Sequence, residues 1–234
     1  MKCSVVIPCY NEFKNLPILL KRCEEICAQD PDLEIVLVDN GSTDGSSLFL
    51  DNIAFKYRFI TIVNVKVNKG YGFGILAGLK VATGEILGWT HADMQTDLGD
   101  IITAHKFFHN ASESKLLFVK GRRYGRPMMD VFFTFCMSIF ETLLLNKMMG
   151  DINAQPTLFH KSFYLNWKNP PNDFSLDLFA YYNAKKIKLN VKRFPVLFSR
   201  RLYGVSSWNI GLFSKYNFIK RTLVYSFSLK KRIK

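Results

Sequence analysis

The hydrophobic positions along this chain follow two periods. Ser4–Pro8, Leu33–Val38, Ile60–Val67 and Glu85–Thr90 are short apolar runs, rich in β-branched residues and closed by turn residues. Runs of this kind predict strands buried on both faces. Between them the spacing becomes helical. Leu16, Leu19, Leu20, Cys23, Ile26 and Cys27 mark a helix from Asn15 to about Gln29. Ser46–Phe55 reads as a second helix, and a Gly-rich turn at Lys69–Gly74 leads into a third that runs to about Thr83. The βαβαβαβ order predicts an α/β fold with a mainly parallel sheet and helices on both faces. Ligands of such sheets bind beyond the carboxyl ends of the strands.

Three polar clusters fall at those ends: Tyr10-Asn11-Glu12, Asp39-Asn40-Gly41-Ser42 and His91-Ala92-Asp93-Met94-Gln95. Asp39 can accept hydrogen bonds from a ribose or a base edge; equally, Asp39 and Ser42 can simply cap the following helix. Lys69 with Gly70, Gly72 and Gly74 offers a loose phosphate cradle, though the pattern is neither a Walker loop nor a dinucleotide fingerprint. His91, Asp93 and Gln95 alternate, so on a continuing strand they share one face. Their imidazole, carboxylate and amide groups suit Mn²⁺, and Mg²⁺ less well. Asp97 is the better cap for a helix starting near Leu98, which leaves Asp93 free for chemistry.

Charge divides the 234 residues. Residues 1–117 carry 11 basic and 14 acidic side chains; residues 118–234 carry 21 and 5, with no acid after Asp177. That imbalance expects an anionic partner for the second half. Met128–Leu145 is apolar and aromatic, with Phe132, Phe133, Phe135 and Phe140, but Asp130 and Glu141 interrupt it short of a spanning run. Leu212, Tyr216, Ile219, Leu223 and Phe227 form a stripe flanked by Lys215, Lys220, Arg221, Lys230, Lys231 and Arg232, which suits a helix lying on anionic lipid. The alternative is that the stripe packs into a core. The first residues read as neither a signal peptide nor an anchor. The five cysteines are odd in number and fall in apolar elements, as in a reduced cytoplasmic protein.

Taken together, Val5–Glu12, Val38–Gly45, Asn68–Gly72, Gly78–Gly84, His91–Gln95, Gly121–Tyr124, Asp151–Pro156 and Arg201–Ser206 resemble, in order and spacing, the family 2 glycosyltransferases. The resemblance is to the polyprenyl-phosphate sugar synthases such as dolichyl-phosphate mannose synthase and their bacterial relatives, and it spans roughly residues 3–208. It implies a GT-A type three-layer sandwich over 1–208, with a nucleotide half to about 117 and an acceptor half from 118, followed by a basic amphipathic segment at 209–234. It implies that Pro8, Tyr10, Glu12, Asp39, Asn40, Lys69, Gly70 and Ala92 lie around a nucleoside-diphosphate sugar. Asp93 would be the central carboxylate, with His91 and Gln95 as further ligands of Mn²⁺ or Mg²⁺. Arg123 and Arg201, with Ser206, would face phosphates or acceptor. Two positions depart from the family pattern: Asn40 stands where a second acid is usual, and His91 replaces the first acid of the DxD site.

The implied chemistry is inverting displacement at an anomeric carbon. A hydroxyl acceptor needs a general base, for which Asp151 and Asp177 are the candidates. A lipid phosphate needs none, and would instead be bound by arginines such as Arg122, Arg123, Arg126, Arg200 and Arg201. The implied partners are a nucleotide sugar, a polyprenyl phosphate or lipid-linked glycan, and an anionic membrane surface on the cytoplasmic side; self-association is left open. Competing readings are transfer to a soluble or polysaccharide hydroxyl, a nucleotidyltransferase, and a degenerate relative that only binds nucleotide or lipid. A nucleic-acid partner is not expected, because no recognised module is present.

Overall fold

The computed structural model describes residues 1–204 and the helix at 212–231, with side chains from Ile219 onward in that helix. The first half alternates as expected: β1 (Cys3–Cys9), α1 (Leu16–Gln29), β2 (Leu33–Asn40), α2 (Ser46–Ile53), β3 (Ile60–Val65), α3 (Tyr71–Val81), β4 (Ile86–Trp89) and α4 (Gly99–His109). The second half adds β5 (Leu117–Tyr124), α5 (Met128–Leu145), β6 (Thr157–His160), α6 (Lys161–Leu165), α7 (Ser175–Lys186), β7 (Asn190–Leu197) and α8 (Leu212–Lys231).

One seven-stranded sheet results, in the order β3-β2-β1-β4-β6-β5-β7. The four strands of the first half are parallel, with Val5 opposite Ile35 and Gly88. β6 is antiparallel to both β4 and β5, and β5 is parallel to β7. The continuous apolar runs are explained by the two clusters that cover the sheet. Val5, Ile7, Ile35 and Leu37 pack under α1 and α4, while Val6, Val36 and Val38 pack under α3 and α7. Burying each such side chain contributes about 1.5–3 kcal/mol. This is the α/β, mainly parallel architecture that the hydrophobic pattern predicts.

The second half differs from expectation in two respects. Asp130 and Glu141 do not break Met128–Leu145: it forms one 18-residue helix, long and apolar enough by length and composition to cross a membrane. Its orientation is inverted relative to a core helix. Glu141 and Leu145 are its buried residues, whereas Met128 is 88% exposed, Phe132 63% and Leu143 77%. On α8, among the described side chains, Ser226 and Leu229 are buried, Ile219 and Leu223 of the stripe are half-buried, and Val224 and Phe227 are exposed. Phe227 reaches only the edge of Phe140, at 6.1 Å between centroids. The side chains of Lys215, Leu212 and Tyr216, together with Ser206 and Arg232, lie outside the described residues, as does the boundary at 208.

The Glu141 carboxyl is buried between α5 and α8, and its Oε1 accepts from Ser226 Oγ at 2.5 Å. Ser226 Oγ also lies 2.9 Å from the Thr222 carbonyl. The Ser226 hydroxyl donating to Glu141 favours the ionised carboxylate. Burial outweighs that bond, pushing Glu141 up from the usual carboxylate range to about 7.

A carboxyl raised in the folded state favours folding while protonated, and that advantage is lost as pH rises from its unfolded value through about 7. Glu141→Gln keeps the shape without the charge. Its stability relative to wild type should therefore rise between pH 5 and pH 8.5 by on the order of 2 kcal/mol, read from denaturant midpoints. A pH-independent difference would contradict a buried neutral acid.

Candidate active site

The loops after β1, β2 and β4 meet at one end of the sheet. After β1, Pro8 is half-buried, Tyr10 is exposed and Asn11 adopts a left-handed φ of 56°. The Asn11 side chain accepts from the Thr43 N–H at 2.8 Å, and its own N–H donates to Ser42 Oγ at 3.1 Å. The two loops are thus tied edge to edge. Asp39 is buried, accepting from the Ser42 N–H at 3.0 Å and from the Ser47 hydroxyl. It folds the turn that opens α2, while lying at the mouth the sheet topology provides.

Asn40 has a local explanation. Its Nδ2 donates to the Gly70 carbonyl at 3.0 Å, a bond that an ionised acid cannot make. The expected phosphate cradle at Lys69–Gly74 is something else. A Cβ on Gly70, whose φ is +115°, would lie 2.4 Å from the Asn172 carbonyl oxygen, and one on Gly72 would lie 2.7 Å from that of Asp173. The glycines permit the turn to close against 171–173, and Phe73 N–H donates to the Asn172 carbonyl at 2.8 Å. Lys69 is exposed over the Phe73 ring.

The His91–Gln95 segment is not a strand extension. β4 ends at Trp89, and Met94 turns through a φ of 56°, so the three candidate ligands do not share a strand face. They come from a loop instead. Asp93, buried, accepts from the Gln95 N–H at 3.1 Å through Oδ1 and from Arg201 Nη2 at 2.8 Å through Oδ2. Gln95 Oε1 accepts from Arg201 Nε at 3.2 Å. Ala92 is buried between them. The His91 ring stacks on Tyr71 at 5.0 Å, and Tyr71 stacks on Phe174 at 4.6 Å. Burial holds the His91 imidazole below its usual range; Asp93 and Asp177 oppose this, and Arg201 and Arg123 reinforce it. A neutral ring keeps a lone pair for a ligand.

This donor set can accept a divalent ion in part. Two oxygens converge on the Arg201 guanidinium, beside a neutral imidazole, a combination that suits Mn²⁺. Among the described residues no three His, Cys, Asp or Glu side chains converge as a metal site. An ion here would need oxygens from its ligand.

Both candidate bases are held in ion pairs. Asp151 accepts from the backbone N–H of Arg123 at 2.8 Å and from its guanidinium at 2.9 and 2.5 Å, with Arg126 at 3.8 Å and Arg193 at 4.0 Å. Burial would raise this carboxyl, but the charge and hydrogen bonds of Arg123 and the charge of Arg126 hold it below the usual range. Asp177 does not face the open site at all. It is buried, 3.4 Å from Lys120 Nζ, and accepts from Trp89 Nε1 at 3.2 Å. Burial lowers the Lys120 ammonium to about 8, against the opposing pull of Asp177. Lys120, Tyr71 and Phe174 were not among the sequence candidates. The available signals were a lone lysine in the apolar strand LLFVKG and a tyrosine inside a Gly-rich turn.

Residues 4–166 match the family model described as Glycosyl transferase family 2. The chain is 38% identical over 97 residues to the undecaprenyl-phosphate 4-deoxy-4-formamido-L-arabinose transferase of Proteus mirabilis (strain HI4320), covering 40% of this chain and 29% of that protein. It is 41% identical over 97 residues to the protein of the same name from Sodalis glossinidius (strain morsitans), again 40% and 29%. The match thus spans less than a third of the length of these relatives. Among solved structures, glucosyl-3-phosphoglycerate synthase from Mycobacterium tuberculosis with Mn²⁺, UDP-glucose and phosphoglyceric acid superposes with a TM-score of 0.74 at 12% identity, over 98% of this chain and 79% of that one. A mannosyltransferase from Pyrobaculum calidifontis with GDP-mannose and Mn²⁺ gives 0.67 at 20% identity, over 99% and 64%. At these identities the likeness is one of fold, and it is the GT-A fold.

Breaking the Lys120–Asp177 pair leaves a buried ammonium uncompensated. Asp177→Asn should lower unfolding stability by about 3 kcal/mol, measured by urea titration. An unchanged midpoint would mean that Asp177 is not a structural counter-charge.

Proposed function

The chain belongs to glycosyl transferase family 2 and is a glycosyltransferase; from that premise we propose that it transfers a sugar from a nucleoside-diphosphate donor to a polyprenyl phosphate or another lipid-linked anionic acceptor. The observation that carries this reading is the state of the acids and arginines. Asp151 and Asp177, the residues available as general base, are neutralised by Arg123 and Lys120. Asp151 lines a groove of about 530 Å³ along α5. Arg122, Arg126 and Arg193 line it too, together with the apolar Val131, Phe135, Ile139 and Leu143. An acceptor that is already anionic and carries a hydrocarbon tail suits both linings; the names of the undecaprenyl-phosphate relatives point the same way.

In this reading the loops after β1 and β2, with Pro8, Tyr10, Glu12, Asp39 and Asn40, hold the nucleoside. Lys69, Gly70 and Ala92 border it, and Asp93, Gln95 and His91 hold Mn²⁺ or Mg²⁺ with the diphosphate. The ion would supply charge neutralisation for the leaving nucleoside diphosphate. Arg123 and Arg201 face the phosphates or the acceptor, where positive charge favours the departing diphosphate. A phosphate oxygen of the acceptor attacks the anomeric carbon from the face opposite the leaving group. The new C–O bond forms as the bond to the diphosphate breaks, the leaving group takes the electron pair, and configuration inverts. No proton is removed, because the attacking phosphate is ionised at neutral pH.

The exposed apolar face of α5 and the basic face of α8, with Lys220, Lys230 and Lys231, suit a peripheral position on the cytoplasmic side of an anionic membrane. Residues 1–208 would form the catalytic domain, and 209–234 would assist α5 at the lipid.

A panel of UDP- and GDP-sugars with Mn²⁺ and polyprenyl phosphate tests the activity. Product from at least one donor is expected; no nucleotide binding and no turnover across the panel would contradict the reading. Arg126→Ala should raise KM for the lipid phosphate by about tenfold, the effect of losing one charge-assisted contact, with donor affinity unchanged; equal effects on both would remove the groove from the acceptor path. Phe132→Ser/Phe135→Ser should weaken co-sedimentation with anionic vesicles, and undiminished binding would exclude α5 from the lipid contact.

A further inference from the structure

Arg201 reaches from the segment after β7 to the loop after β4. Its Nη2 donates to Asp93 Oδ2 at 2.8 Å and its Nε to Gln95 Oε1 at 3.2 Å. Asp93 and Gln95 are two of the residues that the proposed function gives to a divalent ion, so a cation is already seated on one oxygen of each. The pair is partly sheltered, with the Asp93 side chain 7% exposed and that of Arg201 24%. Glu12 also feels the Arg201 charge.

The arginine is part of a strap. Ser199 N–H donates to the Gln95 carbonyl at 2.7 Å, and Gln95 Nε2 donates back to the Ser199 carbonyl at 3.1 Å. Phe198 N–H donates to the Tyr124 carbonyl at 2.9 Å, and the Phe198 ring lies 5.1 Å from the Arg123 guanidinium. Gln95 is therefore engaged by residue 199 through backbone and side chain, and by residue 201 through its remaining oxygen.

We propose that Arg201 is a positioning residue, a tethered counter-cation that holds Asp93 and Gln95 while the donor side is empty and yields them to a divalent ion arriving with a nucleoside diphosphate. This rests on the reading of Asp93 and Gln95 as ligands on the donor side. A guanidinium and a divalent ion repel each other and cannot share one carboxylate oxygen. An ion alone must break two charge-assisted or polar bonds of Arg201 and leaves that charge unpaired. An ion accompanied by a diphosphate offers the displaced guanidinium new phosphate oxygens at close range. Ion and nucleotide therefore bind with positive coupling, which by linkage is reciprocal. Freed from Asp93 and Gln95, the arginine is available to phosphates only after the donor is in place.

The test is Mn²⁺ affinity of the full chain, followed by the electron paramagnetic resonance signal of free Mn²⁺, alone and with UDP or GDP. Arg201→Met should bind Mn²⁺ alone about tenfold more tightly than wild type, the effect of removing one charge-assisted competitor. In the same variant the gain in Mn²⁺ affinity on adding nucleotide should shrink. Arg201→Lys, which keeps the charge but not the fork, should fall between. Equal or weaker Mn²⁺ affinity in Arg201→Met, or no Mn²⁺ binding by either protein, would overturn the inference. Thermal melting of each variant shows that it is folded. A chain that binds no nucleotide and transfers no sugar defeats the proposed function itself. A chain that transfers sugar with unaltered Mn²⁺ affinity in Arg201→Met defeats only the role given to Arg201.

Discussion

A carboxylate removed from water needs a cation or a proton, and the site is organised by that requirement. Asp93 is held by Arg201, Asp151 by Arg123 and Asp177 by Lys120. Glu141, which has no ion pair among the described residues, is pushed by burial up to about 7. Each pairing joins separate parts of the chain: the β4 loop to the segment after β7, β5 to the 151–156 loop, and β5 to α7. Charge neutralisation therefore does the work of tertiary assembly where the apolar core gives way to the site. It also engages Asp151 and Asp177 as ion-pair partners.

The aromatic stack adds the other constraint. His91, Tyr71 and Phe174 bring together the β4 loop, the Gly-rich turn and the residue before α7. The glycines of that turn are needed because its backbone closes on 171–173 at distances no side chain permits. Asn40 closes the same turn from the β2 side. The loops after β2 and β4, the Gly-rich turn and the start of α7 are thus one assembly, and a change at the Gly-rich turn reaches the His91 ring through Tyr71.

The parallel half of the fold was legible in the sequence because strands buried on both faces leave uninterrupted apolar runs, as at Leu33–Val38. The placement of Tyr10–Glu12, Asp39 and His91–Gln95 at one end followed from that order alone. The roles of neighbouring residues did not. Alternation of His91, Asp93 and Gln95 suggested a strand face, but Met94 enters a left-handed turn, which a three-residue pattern does not reveal. Lys69–Gly74 left cradle and plain turn open, because a glycine needed for loop-to-loop approach and one needed for a ligand look alike in sequence. Asp177 looked like a free acid because its partner, Lys120, is 57 residues away. On α8 the Ser226–Glu141 bond was not legible, because its partners lie 85 residues apart.

An ionised phosphate as acceptor nucleophile would need no base. Comparing polyprenyl phosphate with the corresponding polyprenol under one donor and Mn²⁺, with the product followed by phosphorus NMR, separates the two acceptors. A sugar phosphodiester is expected from the phosphate and no product from the alcohol. Comparable transfer to the polyprenol hydroxyl would contradict the phosphate reading.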